Sequence, residues 1–276
     1  AVAATNNAVY FFDAIHRKIY QLGQGKQGMG TNPLSELKSM HAYLQELPKD
    51  VFTKKFTSAT VANPGGDNPI LRLGAHIGID EINDEVIFTF LSKNEGEKGI
   101  YKSLVFDELA NQFSTELSCK PQIWINNADI LLSTDDVDPD LKSVYTHNIG
   151  NWGEFYGNIN SCMIKLVINP KADINKVLRF LEFNSIVRGD DKVVDRTQTI
   201  TSFRIETETQ DSGEIVYSPD RIKRRFDKWR IKLPRDKDSR GRFRSTYFLL
   251  TLRFNNTNNK ELIMNKLISY YSPQIF

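Results

Sequence analysis

The chain contains little cysteine. Cys119 and Cys162 are the only two in 276 residues, too few for the disulfide framework of a secreted scaffold. Neither belongs to a Cys-x-x-Cys motif or to a Cys/His cluster, so the sequence does not predict a zinc site. We therefore expect free thiols and folding in a reducing compartment.

Long apolar runs are absent as well. No stretch of about 18 apolar residues occurs, the least that a membrane-spanning helix needs, so we predict no membrane span. Residues 1–7 lack the basic region and the apolar core of a signal peptide. The chain starts at Ala1 rather than at a Met, and a strand pattern is running by Val9. We interpret it as the C-terminal part of a longer polypeptide.

Charge of one sign does not dominate the chain. The net charge is +2, too small for a whole-molecule field that requires nucleic acid or membrane as a partner. The distribution is uneven, because residues 221–244 hold twelve Lys or Arg and three Asp. This segment has a balance of +9, which leaves about −7 for the rest. With 40% apolar and 11% aromatic residues, the chain is globular rather than a disordered tail.

Aromatic and β-branched residues dominate the first elements. Residues 8–13 and 17–22 predict a hairpin of two strands. Residues 23–32 hold four glycines and predict a loop. Residues 33–44 show helical spacing and predict one short helix, with Asn32 as N-cap and Pro33 at the first helical position.

Seven further strands follow at short spacing, separated by turn residues rather than helices. They are predicted at residues 71–79, 85–91, 101–107, 112–118, 122–125, 130–133 and 143–148. Strands this close together form antiparallel sheets. Their hairpin units predict the last blade or blades of a β-propeller-like domain that begins upstream and ends at residue 158.

The pattern changes near residue 160 and predicts a second, β-rich and sandwich-like domain over residues 159–276. Its predicted strands are residues 162–168, 199–210, 230–233, 246–254 and 261–271. Residues 177–187 fit a helix or a strand equally well. The whole chain is therefore predicted to be mainly β.

Motifs for chemistry are weak. Gly23, Gly25 and Gly28 match G-x-G-x-x-G, but the strand–helix context of a dinucleotide site is missing, so a flexible loop is favoured. Asp136, Asp138 and Asp140 have the spacing of calcium ligands. The Gly and Glu that complete a calcium-binding loop are missing, so a solvated acidic turn is favoured. No triad or metalloprotease motif accompanies the four histidines. We predict no catalytic residue, no metal and no cofactor, and hence no enzyme.

The basic segment is the strongest local signal. Its nine candidate residues are Arg221, Lys223, Arg224, Arg225, Lys228, Arg235, Arg240, Arg242 and Arg244. Interleaved with Phe226 and Trp229, they suggest a nucleic-acid surface. The alternation at residues 229–233 favours a second interpretation, in which Trp229, Ile231 and Leu233 face the core while Arg230 and Lys232 are solvated or pair with a neighbouring subunit. The two interpretations are compatible if the protein lines a path for DNA.

Several segments in this order resemble a known family. They include Val9-Tyr-Phe-Phe-Asp13, Arg17-Lys-Ile-Tyr20, residues 34–44, Ser103-Leu-Val-Phe-Asp-Glu108, Val144-Tyr-Thr-His-Asn148, Phe155-Tyr-Gly157, Arg225-Phe-Asp-Lys-Trp-Arg230, residues 233–236, Gly241-Arg-Phe-Arg244 and residues 247–254. Together they resemble the muzzle, or nozzle, proteins that close the tail of crAss-like bacteriophages.

The resemblance implies a virion structural protein rather than an enzyme. Such proteins form a symmetric ring of identical copies at the distal tail, with propeller-like and sandwich-like β domains around the DNA exit channel. The implied partners are other copies of the chain, neighbouring tail proteins and, transiently, ejected DNA; the implied location is the phage tail, after assembly in the host cytoplasm. No functional residue carries over from the family.

Two alternatives remain open from the sequence. A non-catalytic β-sandwich that binds a host glycan or another tail protein is favoured if aromatics near Trp124 and Trp152 are exposed. A polysaccharide hydrolase needs two carboxylates about 5–10 Å apart in a groove.

Overall fold

Strands dominate the protein. The computed structural model describes residues 1–13, 16–25, 28–47, 74–92, 100–127, 129–135, 143–189, 191–218 and 220–273. Over these residues the structure is 57% strand and 5% helix, and its sheets are antiparallel. The prediction of a mainly β, antiparallel protein is confirmed.

The chain divides into two compact units, Ala1–Ile149 and Gly150–Phe276. We call them the first and the second unit. The expected domain boundary between residues 158 and 159 stays a prediction, and residues 150–158 form a loop with a small ribbon of their own. That ribbon pairs β12 (Glu154–Phe155) with β13 (Asn158–Ile159).

The described residues of the first unit form three sheets, each of which follows the order of the chain. The first sheet is β1 (Val2–Ala4), β2 (Ala8–Asp13), β3 (Lys18–Gly25) and β4 (Gly28–Asn32). The second sheet is β5 (Gly74–Asp80), β6 (Glu85–Ser92), β7 (Ile100–Asp107) and β8 (Gln112–Leu117). The third sheet is β9 (Pro121–Asn127), β10 (Ile130–Asp135) and β11 (Val144–Thr146).

The second sheet lies between neighbours on both of its faces. On one face, Phe88 and Phe90 pack edge-on against Tyr10 and Phe12 of the first sheet, with ring centroids 6.2 and 5.0 Å apart. On the other face, Trp124 of the third sheet donates its Nε1–H to Thr89 Oγ1 at 2.8 Å. Burial on both faces explains why the run from Val86 to Leu91 is almost continuously apolar instead of alternating.

The second unit has two larger sheets. The fourth sheet has the order β14 (Cys162–Ile168), β22 (Phe248–Phe254), β17 (Ser202–Glu206) and β18 (Ile215–Val216). The fifth sheet has the order β16 (Val194–Asp195), β15 (Lys176–Arg188), β20 (Lys228–Lys232) and β19 (Ile222–Arg225), and both β21 (Arg244–Ser245) and β23 (Glu261–Pro273) also pair with β15.

One core lies between these two sheets. Phe203, Leu250 and Leu252 come from the fourth sheet, and Phe183 and Trp229 come from the fifth. All five are at most 4% exposed. Two antiparallel sheets that share one core form the sandwich-like arrangement that the sequence predicts.

Each predicted strand coincides with a strand of the structure, although of residues 199–210 only Ser202–Glu206 are strand. The ambiguous residues 177–187 prove to be strand, within β15. The predicted loop at residues 23–32 is wrong, because the backbone pairs Gly23 with Gly30 and Gly25 with Gly28, so residues 23–25 and 28–32 are strand. The glycine motif therefore lies in an antiparallel hairpin. Its backbone pairing outweighs the low strand propensity of glycine. The acidic turn predicted at residues 136–140 lies outside the described residues.

The single predicted helix is also wrong in detail. Where one helix was predicted, residues 33–46 form two short ones, α1 (Leu34–Leu37) and α2 (His41–Glu46). Ser39 between them adopts φ 61°, a left-handed conformation that interrupts the helix. Pro33 holds the N-cap position without a side-chain cap, and Asn32 ends β4 instead.

Candidate functional site

The centre of the basic segment is a hairpin, which we call the basic hairpin. Strands β19 and β20 pair Ile222 with Ile231 and Arg225 with Lys228, leaving Phe226 and Asp227 as a two-residue loop. Ile222, Trp229 and Ile231 are buried. Because side chains alternate along a strand, the residues between them face outward. The core-facing positions expected for Trp229 and Ile231 are confirmed.

Arg224 differs from the other cations of the hairpin. It pairs with Trp229 across the strands, and its guanidinium lies 5.8 Å from the centre of the Trp229 ring. Its Nη1 donates to the carbonyl oxygen of Arg196 at 3.0 Å. Arg224 therefore covers the edge of the core, which is a structural role.

The outward cations surround a shallow depression of about 400 Å³. It is lined by Arg179, Phe180, Asp220, Arg221, Lys223, Arg225, Arg230, Ile231 and Lys232. Six of these residues are Lys or Arg and one is acidic, so the depression attracts anions. Of the nine candidates, it brings together Arg221, Lys223 and Arg225.

An aromatic group borders the depression. The Arg230 guanidinium lies 3.6 Å from the centre of the Phe180 ring, and Phe180 stacks on Tyr270 at 4.1 Å. Glu182 pairs with Arg230 at 3.3 Å and accepts a hydrogen bond from the Tyr270 hydroxyl at 3.1 Å. That hydrogen bond raises the pKa of Tyr270 above its ordinary value. The group holds Arg230 in place.

Four candidates lie beyond the hairpin and do not line the depression. Arg235, Arg240 and Arg242 are exposed in the loop between β20 and β21, and Arg244 is exposed in β21. Asp236 holds this loop, since its carboxylate accepts hydrogen bonds from the backbone N–H of Asp211 and from the backbone and the hydroxyl of Ser239. The pKa of Asp236 is lowered, chiefly by the hydroxyl of Ser239.

Phe226 at the tip of the hairpin is 97% exposed. Its φ is 54°, in the left-handed region that bulky residues rarely adopt. Gly, Asn or Asp usually occupies such a position in a two-residue hairpin loop. An exposed aromatic ring at a strained position between Arg225 and Lys228 is a feature that folding alone does not explain.

Sequence reasoning missed Arg179 and Phe180 as members of this surface. A register shift in β15 between Leu178 and Phe180 turns Phe180 outward beside β20. Such a bulge leaves no reliable mark in a single sequence. The alternation of apolar and charged residues at 229–233 predicted that Arg230 and Lys232 are solvated or paired. In the structure Arg230 pairs with Glu182, and Lys232 is exposed.

Two carboxylates line a second depression, on the outer face of the fourth sheet. Glu206 lies 3.0 Å from Arg204, and Glu214 lies 3.5 Å from Arg253. Glu214 also accepts a hydrogen bond from Ser202 at 2.7 Å. The first pair lies within β17, and Glu214, just before β18, connects to Ser202 of β17 and to Arg253 of β22, so both carboxylates are engaged in contacts that stabilise the sheet face.

Within the described ranges, no group of three or more His, Cys, Asp or Glu is placed to hold a metal ion. No helix there is both long and apolar enough to cross a bilayer.

The fold and the surface define a class: an antiparallel β protein of two compact units, with an extended basic surface on the second. Two family models match this chain. The crassvirus muzzle protein model matches residues 1–137, and the model of the crassvirus muzzle protein C-terminal domain matches residues 150–236. The chain belongs to the crassvirus muzzle protein family, as the sequence resemblance predicted. No curated protein matches it.

Proposed function

We propose that the chain is a non-enzymatic structural subunit of a phage tail muzzle and forms a ring of identical copies around the DNA exit channel. The observation that carries this proposal is the pair of family matches, which together cover most of both units. Membership of a muzzle family is consistent with a structural role in the tail.

The architecture of the first unit supports a propeller-like domain. Its three sheets are antiparallel, run in chain order and stack face to face. Propeller blades are four-stranded antiparallel sheets arranged around an axis, and the first and second sheets each have four strands. The three sheets seen in the described part of this unit are too few to close a propeller of four or more blades. We infer that further blades come from elsewhere in the polypeptide or from another copy.

The basic depression supports a role at an interface. Its six cations suit either the phosphates of DNA or the acidic surface of a protein. The proposed partners are other copies of the chain, neighbouring tail proteins and, during ejection, passing DNA. The proposed location is the virion tail, with assembly in the host cytoplasm.

Two measurements test the proposal. Imaging of intact particles that carry a tag on this chain is expected to place the tag in a symmetric ring at the distal tail. Native mass measurement of the purified chain at micromolar concentration is expected to show an oligomer. A tag elsewhere in the particle, or a chain that stays monomeric, would count against the ring.

The alternative of a glycan-binding or protein-binding sandwich has less support. It required exposed aromatics near Trp124 and Trp152. Trp124 is 7% exposed and hydrogen bonded to Thr89, so it is part of the core. Trp152, at 47% exposed, is the one of the two that remains accessible.

A further inference from the structure

The two units carry opposite charge. Residues 1–149 contain 13 Lys or Arg and 19 Asp or Glu, a net charge of −6. Residues 150–276 contain 23 Lys or Arg and 15 Asp or Glu, a net charge of +8. Identical copies with this distribution attract one another when the first unit of one copy meets the second unit of the next.

Several acidic residues of the first unit meet at one end of the second sheet. In the strand register, Asp80 of β5 lies opposite Glu85 of β6, and Glu85 lies opposite Asp107 of β7. Glu81 and Asp84 lie in the turn between Asp80 and Glu85. Burial raises the pKa of Glu85, and the carboxylates of Asp80 and Asp107 raise it further. The acids crowd one another, and within the described part of the chain no Lys or Arg pairs with Glu81 or Glu85.

The same end of the sheet exposes large apolar side chains. Ile82, in the turn before β6, is 64% exposed, and Leu109, in the turn after β7, is 80% exposed. The two turns are joined, since the backbone N–H of Glu108 donates to the carbonyl oxygen of Asp84 at 2.9 Å. We call this surface the acidic end. It combines negative charge with apolar area.

The tip of the basic hairpin is its complement. Phe226 presents a bare aromatic ring, and Arg225 and Lys228 flank it with positive charge. Aromatic residues and Arg are enriched at the centres of protein interfaces. The strained backbone at Phe226 marks a position that a folded monomer has no need to fill with a large ring.

We propose that the tip of the basic hairpin of one copy docks on the acidic end of a second copy, with Phe226 against Ile82 and Leu109 and the two cations against Glu81 and Glu85. The inference rests on the proposed function, because it specifies the contact that builds the ring. Such a contact joins two different surfaces, so it repeats head to tail and closes into a ring when the rotation between copies permits. DNA would satisfy the cations but would leave the acidic end without a partner.

Charge reversal tests the contact. Arg225→Glu with Lys228→Glu, in one variant, and Glu81→Lys with Glu85→Lys, in another, are each expected to weaken self-association about tenfold or more. Sedimentation velocity measures the association, and circular dichroism checks that each variant is folded. A matched control, Lys165→Glu with Lys192→Glu, reverses two exposed cations elsewhere on the second unit and is expected to associate like the wild type.

Recombination of the variants is the sharper test. An equimolar mixture of the two charge-reversed variants is expected to associate, because each altered surface then meets its complement on the other chain. A chain that carries both pairs of changes is expected to associate with itself. If the combined chain recovers association but the mixture does not, the contact lies within one copy and the proposal is wrong.

Phe226→Gly separates docking from folding. Glycine relieves the positive φ, so the thermal stability of the second unit is expected to be unchanged or higher, while self-association falls. If the wild type is monomeric, the ring itself fails. If the wild type associates and neither the charge reversals nor Phe226→Gly affects it, only this docking contact is wrong. Loss of DNA binding with unchanged association would assign the hairpin to DNA instead.

Discussion

Individual aromatic residues of this protein have opposite roles that depend on where the strands place them. Trp229 is 4% exposed in the second unit, whereas Phe226, three residues earlier, is 97% exposed. A buried ring contributes to stability in proportion to the apolar area that it removes from water, and an exposed ring does not. The basic hairpin therefore combines one residue that holds the core with one that is available to a partner.

Replacing Trp229 with Ala is expected to lower the free energy of unfolding of the second unit by about 3–5 kcal/mol, because it leaves a cavity beneath Arg224. Chemical denaturation followed by circular dichroism measures the change. Trp152→Ala, in the same unit but 47% exposed, is the control and is expected to cost far less. Equal effects of the two substitutions would contradict the assignment of Trp229 to the core.

Gly78 in β5 allows the close approach of Trp124. A Cβ atom at residue 78 would lie 2.7 Å from Trp124 Cδ2, closer than atoms in proteins approach. Gly78→Ala is therefore expected to lower the free energy of unfolding of the first unit by about 1–3 kcal/mol through overpacking. Gly30→Ala, at a strand position with nothing within 4 Å of the added atom, is the matched control. Thermal melting of both variants measures the effect, and equal melting temperatures would contradict overpacking at residue 78.

At the scale of elements, the cation-rich loop between β20 and β21 is held by carboxylates. Asp211 accepts hydrogen bonds from Arg204 Nε and Nη2 at 2.9 and 3.0 Å and pairs with Lys237 at 2.9 Å. Asp236 accepts the backbone N–H of Asp211. The two aspartates connect this loop to the segment between β17 and β18, so its exposed cations have a defined position.

Asp236→Ala is expected to release this loop. The loop contains Arg235, Lys237 and Arg240, each a trypsin site, and the substitution removes three hydrogen bonds that hold the backbone around them. Limited trypsin digestion is expected to cut the variant faster here than the wild type. Asp238→Ala, an exposed residue of the same loop, serves as control. Identical digestion of all three proteins would show that Asp236 does not hold the loop.

The Asp211 carboxylate predicts a pH dependence. The Arg204 guanidinium, and after it Lys237, hold the pKa of Asp211 well below its ordinary value. A lowered pKa in the folded protein means that the stabilisation is complete above the unfolded value, about 3.9, and is lost as pH falls through the folded value.

Asp211→Asn is accordingly expected to be less stable than the wild type at about pH 7 and to approach it in acid. Urea denaturation across this pH range measures the difference. Arg204 is 43% exposed, so the effect is expected to be modest. A difference that stays constant below about pH 4 would mean that the carboxylate charge is not its cause.

At the scale of the whole molecule, the separation of charge between the two units is the dominant feature. A first unit of −6 and a second unit of +8 favour head-to-tail contact between copies and oppose contact between like units. Attraction between such surfaces acts over roughly 10 Å at 0.1 M salt and is screened at higher ionic strength.

Self-association of the wild-type chain is therefore expected to weaken as salt rises. Sedimentation velocity from about 0.05 to about 0.5 M NaCl measures this, and the expected result is a shift toward smaller species. The variant with both charge reversals at the proposed contact is expected to show a similar salt dependence. Association that strengthens with salt would indicate an apolar interface in place of the electrostatic one.

The strands were predictable because their signals are local. Alternation at residues 229–233 placed Trp229 and Ile231 in the core, and the closely spaced runs between residues 74 and 135 indicated antiparallel sheets, since side chains of a half-buried strand alternate with a period of two. Glycine content misled at residues 23–32, because cross-strand backbone pairing there outweighs propensity. The break at Ser39 was likewise not visible in the helical spacing.

The candidate site was predicted only in part. Local charge density identified the basic segment, but the fold divides its nine candidate residues among the hairpin, the loop held by Asp236 and β21, and it uses Arg224 to cover Trp229. Arg179 and Phe180 join the hairpin from a strand about forty residues earlier, through a bulge that the sequence does not reveal.

The sequence by itself determined that this protein is β-rich, where its positive charge is concentrated and to which family it belongs, because each of these depends on residues close together along the chain. Only the tertiary structure decided which cations share a surface, that Phe226 stands exposed, and that acidic and apolar residues from two turns meet at one end of the second sheet. The physical reason is that register and the stacking of sheets bring distant residues together.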